Sequence, residues 1–130
     1  MKKSNILATL LLGTVGIFSG CCSDGLSTTT ADAFTYSVNV TNLTAGQPMS
    51  PVLITSSSIY HVGESASAGL EKLAEGGDNS ELLSTDSVSG TGLLTPSSSE
   101  ILTINTQKQT LSIATMLVKT NDAFAGIESY

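Results

Sequence analysis

From Phe34 to Thr41 apolar and polar side chains alternate without a break, with Phe34, Tyr36, Val38 and Val40 set against Thr35, Ser37, Asn39 and Thr41. A period of two belongs to a strand with one face buried and one in water, because successive side chains of an extended backbone point to opposite sides. The stretch Leu111–Val118 (LSIATMLV) is apolar at nearly every position, which predicts a central strand covered on both faces. These two patterns decide the class of fold: the chain reads as all-β.

Further strands are predicted at Val52–Thr55, which Ile59–Val62 extends or pairs with, and at Glu100–Thr106, with Gln107–Gln109 as the turn into Leu111–Val118. Gly46–Pro51 reads as a loop, Ser87–Ser99 as a loop or irregular edge, and Asn121–Gly126 as a loop leaving the central strand. One segment changes period. Over Ser65–Glu75, Ala66, Leu70, Leu73 and Ala74 fall on one helical face, Ser65 or Ser67 is placed to cap the start, and Gly76-Gly77 ends it. Gly69 weakens this helix by about 1 kcal/mol relative to Ala, and a further helical turn is predicted at Ser80–Ser84.

Composition limits what these elements can bury and bind. Serine and threonine dominate, whereas the chain has 3 Phe, 3 Tyr and no Trp, so the core must be built from Val, Ile, Leu and Ala. There is no arginine, and five lysines against eleven acids give a net charge of −6. A chain of this sign offers no footprint for phosphate, which excludes nucleic acid and disfavours anionic lipid surfaces.

The N-terminal end reads as an address. Lys2 and Lys3 precede an apolar run from Ile6 to Phe18, closed by Ser19-Gly20-Cys21, the layout of a secretory signal over residues 1–20. The run is shorter than the ~20 residues of a membrane span. Phe18-Ser19-Gly20-Cys21 resembles a bacterial lipobox, so Cys21 is the expected lipidation site, with ordinary secretory cleavage as the alternative. Attachment to the membrane is then through the lipid alone, at about 0.8 kcal/mol per buried methylene. The chain is expected outside the cytoplasm, as a lipoprotein of the periplasm, outer membrane or cell surface, or secreted. Cys22 is adjacent and cannot readily pair with Cys21. Residues 21–33 form a polar tether and residues 34–130 the folded part. Removal of Lys2 and Lys3 takes the net charge from −6 to −8.

Motifs for chemistry are sparse. Any histidine-dependent catalysis must use His61, the one histidine, and no G-x-S-x-G elbow accompanies it. Glu71 and Glu75 are spaced i, i+4 and read as a solvated helix face. No EF-hand series is present; Asp78, Asn79, Asp86, Asn121 and Asp122 are the loop residues available to a hard cation. Asn39-Val-Thr41 and Asn42-Leu-Thr44 are sequons, of consequence only in a eukaryotic secretory pathway. A binding module, a structural remnant and a small hydrolase working through His61 are the competing readings.

Three stretches carry a resemblance: TYSVNVTNLTAGQPMSPVLITSSS from Thr35, VGESASAGLEKLAEGGDNSEL from Val62, and LSIATMLVKTNDAFAGIES from Leu111. Together they resemble the spondin N-terminal domain family in the form found in bacterial exported proteins. The resemblance implies an antiparallel C2-like β-sandwich with a short helical insertion, a non-enzymatic role in attachment to a cell-surface or matrix component, and calcium at one end of the sandwich. Asp122 matches the first of three acidic calcium ligands in that family. The other two belong to an Asp-Ala-Gly-Thr-like block that does not occur before Tyr130, which gives the expectation of an incomplete, truncated sandwich and of weak or no calcium binding. Ser56-Ser57-Ser58 stands where relatives carry a longer, histidine-containing loop.

Mass spectrometry of the membrane fraction is expected to find the mature chain beginning at a diacylated Cys21. Cys21→Ser should release the chain from that fraction, and an unmodified mature chain starting elsewhere would refute lipidation.

Overall fold

The structure is a computed structural model that describes residues 32–130; the signal 1–20, Cys21 and all of the tether except Asp32 and Ala33 lie outside the described residues. Among the described residues there are six strands, β1 (Phe34–Thr41), β2 (Leu53–Thr55), β3 (Ser87–Ser89), β4 (Ser99–Thr106), β5 (Ser112–Met116) and β6 (Phe124–Ile127), with one helix, α1 (Ala68–Gly76), and a 3₁₀ turn at Ser80–Leu82 between β2 and β3. They form two sheets, one of β1 and β4 and one in the order β3-β2-β5-β6, with every pairing antiparallel. The fold is all-β with a short helical insertion.

The larger sheet is covered on both faces. Val52 and Ile54 face the β1–β4 pair, packing with Leu102, Ile104 and Leu94. Leu53, one residue out of phase, faces the other way with Ala114 and Met116, against Leu70 and Leu73 of α1. The alternation of β1 and β4 fits this arrangement. Tyr36, Val38 and Val40 turn inward opposite Ile104, Leu102 and Glu100, while on the outer face Thr35 bonds Asn105 (2.7 Å) and Thr41 bonds Ser99 (2.8 Å).

Helix α1 forms where its signals placed it, slightly later than its pattern begins. The Ser67 hydroxyl accepts the Leu70 N–H (3.2 Å) and caps the start. Gly77 ends it in the left-handed region (φ 70°), with its N–H bonded to the Leu73 carbonyl (2.9 Å). Beyond it, hydrogen bonds from Ser80 hold the Asp78 carboxyl below its ordinary range. That contribution is present at neutral pH and is lost as the pH falls through the lowered value.

Polar side chains complete the ladders where the backbone cannot. Pro51 interrupts the approach to β2, and there the Ser50 hydroxyl accepts the Met116 N–H (2.9 Å) while Thr115 Oγ1 donates to the Ser50 carbonyl (2.9 Å). Asn42 is fully buried at the end of β1. Its Nδ2 donates to the carbonyls of Gln47 (2.8 Å) and Leu94 (2.9 Å), and its Oδ1 accepts the Thr44 N–H (3.0 Å). An amide so engaged cannot carry a glycan, which removes the second sequon from consideration.

Three expected local structures differ. Ile59–Val62 neither extends β2 nor pairs with it: the Ser56 N–H bonds the Asp86 carbonyl (3.1 Å) and the Ser57 N–H bonds Thr55 Oγ1 (3.2 Å), which turns the chain out of the sheet. The turn read at Gln107–Gln109 does not join Glu100–Thr106 and Leu111–Val118 within one sheet. Residues 107–111 carry the chain between sheets, consistent with one-sided burial of β4 and burial of β5 on both sides. The loop after β5 is shorter than expected, because Thr120 Oγ1 accepts the Ala123 N–H (3.2 Å) and Phe124–Ile127 becomes β6.

Asn42→Ala is expected to destabilise the fold by about 3 kcal/mol, through partners left buried without bonds, and Leu73→Ala by a similar amount through the cavity it opens. Ser56 Oγ is buried with no partner, so Ser56→Ala should instead stabilise by about 1 kcal/mol. Chemical denaturation of the three variants checks the order; a destabilised Ser56→Ala would contradict it.

Candidate functional site

Two regions bring functional groups together. The first is the loop after β2, which lies over the helix side of β6. Tyr60 packs edge to face on Phe124 (5.1 Å between centroids) and sits directly over Gly126, where a Cβ would meet its ring at 3.1 Å and the Ile113 carbonyl at 2.7 Å. After Ile127 the chain bulges. Ile113 pairs with Ile127 but Leu111 bonds Tyr130 in both directions, so three steps on one strand oppose two on the other, with Ser129 at φ 46°. The bulge aims Glu128 at the loop. Glu128 Oε1 accepts the Ser58 hydroxyl (3.0 Å) and pairs with His61 Nδ1, while Ser58 Oγ lies 3.4 Å from His61 Nε2.

Serine, histidine and carboxylate are therefore adjacent, an arrangement that no local pattern announces because Ser58 and Glu128 are 70 residues apart. A nucleophile needs its hydroxyl proton directed at the imidazole. Here the same carboxylate oxygen takes both the hydroxyl and the ring N–H, and the His61 side chain is 60 % exposed. The arrangement acts as a clasp between the loop and the β6 bulge. Beside it a cavity of about 280 Å³ runs between His61, Glu64, Ser67, Leu70 and Phe124.

Asp122 is exposed in the β5–β6 loop and shares a shallow cavity of about 260 Å³ with Glu71 and Glu75 of α1. Among the described residues no three His, Cys, Asp or Glu side chains come close enough to hold a metal ion. Calcium takes 6–8 oxygens, and these residues do not fit it. Of the other candidate cation ligands, Asn121 is exposed next to Asp122, while Asp78 is engaged with Ser80, Asn79 with Ser89 Oγ (2.8 Å) and the Pro51 carbonyl (3.3 Å), and Asp86 Oδ2 with Thr106 Oγ1 (3.3 Å). Lys72 pairs with Glu81, whose hydrogen bond and charge raise the lysine above its ordinary value. Cys21 lies outside the described residues.

The second region is the side of the sandwich where β1 and β6 are the outermost strands of their sheets. The opposite side is closed: Thr106 reaches Asp86, and Glu100 accepts the Thr91 N–H (3.1 Å) just beyond β3. Between β1 and β6 the layers gape. Two cavities of about 390 and 400 Å³ share Val38, Ile113 and Ile127 among their walls, with Tyr36, Leu111 and Tyr130 in the first and Val40 and Met49 in the second. No charged side chain lines either one. Neither β1 nor β6 has a second partner among the described strands, so each presents free backbone N–H and C=O groups to this groove. The alternation of β1 revealed its apolar face but not that this face is only half covered.

Compared with known protein families, curated proteins and solved structures, the chain matches none.

Glu128→Gln and His61→Ala are each expected to raise hydrogen exchange over residues 58–67 while changing global stability by less than about 1 kcal/mol; unchanged exchange would remove the clasp. A calcium titration should show no tight binding, and none that Asp122→Ala alters.

Proposed function

We propose that the chain is an exported, non-enzymatic binding module of the spondin-like kind, held at the cell surface through Cys21, that recognises protein by its open sandwich side. The observation that carries this reading is the largely apolar groove, lined by no charged side chain, flanked by two free strand edges. Such a surface offers main-chain hydrogen bonds and apolar pockets for alternate side chains, the chemistry of strand addition. It offers nothing to a phosphate or an anionic lipid, in keeping with a net charge of −6 and no arginine. Calcium association in this reading needs carboxylates beyond Asp122, Glu71 and Glu75. The competing reading, a remnant with no function of its own, draws on the same open side as an uncovered core.

Binding of labelled full chain carrying Cys21→Ser to intact cells of its own source separates the two. Saturable binding is expected, weakened about tenfold or more by Ile127→Lys in the groove and unchanged by Thr103→Lys on the outer face of β4. Absence of saturable binding, with non-cooperative thermal unfolding, would favour the remnant.

A further inference from the structure

We infer that the occupant of the open side is a second copy of this chain, paired antiparallel through β1 about a two-fold axis at Val38. This rests on the reading of that side as a binding surface and names its partner.

The first argument is the chemistry of the edge. β1 is eight residues long and contains no Lys, no Pro and no charge, so it has none of the devices by which exposed edge strands avoid pairing. An incoming strand must bring uncharged, alternately apolar side chains, since a charge entering the groove finds no counter-ion. β1 itself meets that requirement.

The second argument is register. Residues opposite each other in an antiparallel pair point to the same face. A two-fold axis at Val38 sets Tyr36 against Val40 of the other copy and Val38 against itself, all inward. Thr35 then meets Thr41 and Ser37 meets Asn39, all outward. The pairs formed within Thr35–Thr41 all match in polarity, with Phe34 left beyond the last of them, and the result is one continuous sheet in the order β4-β1-β1-β4. The same axis brings the two β6 edges together, so Ile127, 49 % exposed in the single chain, is covered.

Size and charge agree. An edge of eight residues on β1 is about 26 Å long and one of four on β6 about 13 Å, and with each sheet about 10 Å deep the face is about 400 Å² in projection and more in accessible area, against the ~800 Å² per partner of a standard interface. No Asp or Glu lines the groove: Glu71 and Glu75 stand on α1, Asp86 and Glu100 on the closed side, and Glu128 turns to Ser58 and His61. Two acidic chains can therefore meet here without opposing carboxylates in the groove.

Sedimentation equilibrium of the full chain in density-matched detergent tests the inference. Wild type should show twice the mass of one chain. Val38→Lys and Val38→Glu should each weaken association by about tenfold or more, and an equimolar mixture of the two should restore it, because position 38 faces itself across the axis. Thr103→Lys should remain paired. Where circular dichroism shows that a charge at position 38 unfolds the chain, Ile127→Ser takes its place and should weaken pairing alone. A wild-type mass of one chain, including one that instead takes up a foreign extended peptide, overturns the inference. So does a charge variant that folds and stays paired. Cell binding by a chain that sediments singly would end the self-pairing and leave the binding reading standing; a pair that binds no cells would do the reverse.

Discussion

Everything in this molecule is arranged around three consecutive residues that see no solvent. Val52, Leu53 and Ile54 are each fully buried, and in a strand that is possible only if both faces of the sheet are covered. Leu53 requires an apolar layer on one side, which α1 supplies through Leu70 and Leu73; Val52 and Ile54 require one on the other, which β1 and β4 supply. A chain with so few aromatics builds two thin aliphatic cores on one shared strand. Each depends on the other, because removing either cover exposes residues that β2 cannot turn away from water. At about 25 cal/mol per Å² of apolar surface, neither layer holds much energy alone, which explains why buried hydroxyls and amides at Ser50, Thr115 and Asn42 complete the structure.

The two long sides of the sandwich differ because polar side chains bridge one and not the other. Asp86 accepts from Thr106, and the Glu100 carboxylate accepts the Thr91 N–H. Together these join the edge of the large sheet to β4. On the opposite side the residues that would have to do the same are Val38, Val40, Ala125 and Ile127, none of which has a polar atom beyond its backbone. The groove is a direct result of that difference in residue type.

What the sequence made visible follows from whether the signal was local. The alternation of β1, the caps of α1 at Ser67 and Gly77, and the two-sided character of β5 are properties of short windows, and each is present in the structure. The turn read at 107–109 does not say whether the next strand joins the same sheet; the one-sided pattern of β4 and the two-sided pattern of β5 carry that information instead. β6 was hidden by its own composition. Phe124-Ala-Gly-Ile carries a glycine because Tyr60 lies on Gly126, a constraint that exists only once the loop from 56 to 67 is folded over it. The Ser58–His61–Glu128 clasp was illegible for the same reason, since a bulge at Ser129 aims the carboxylate.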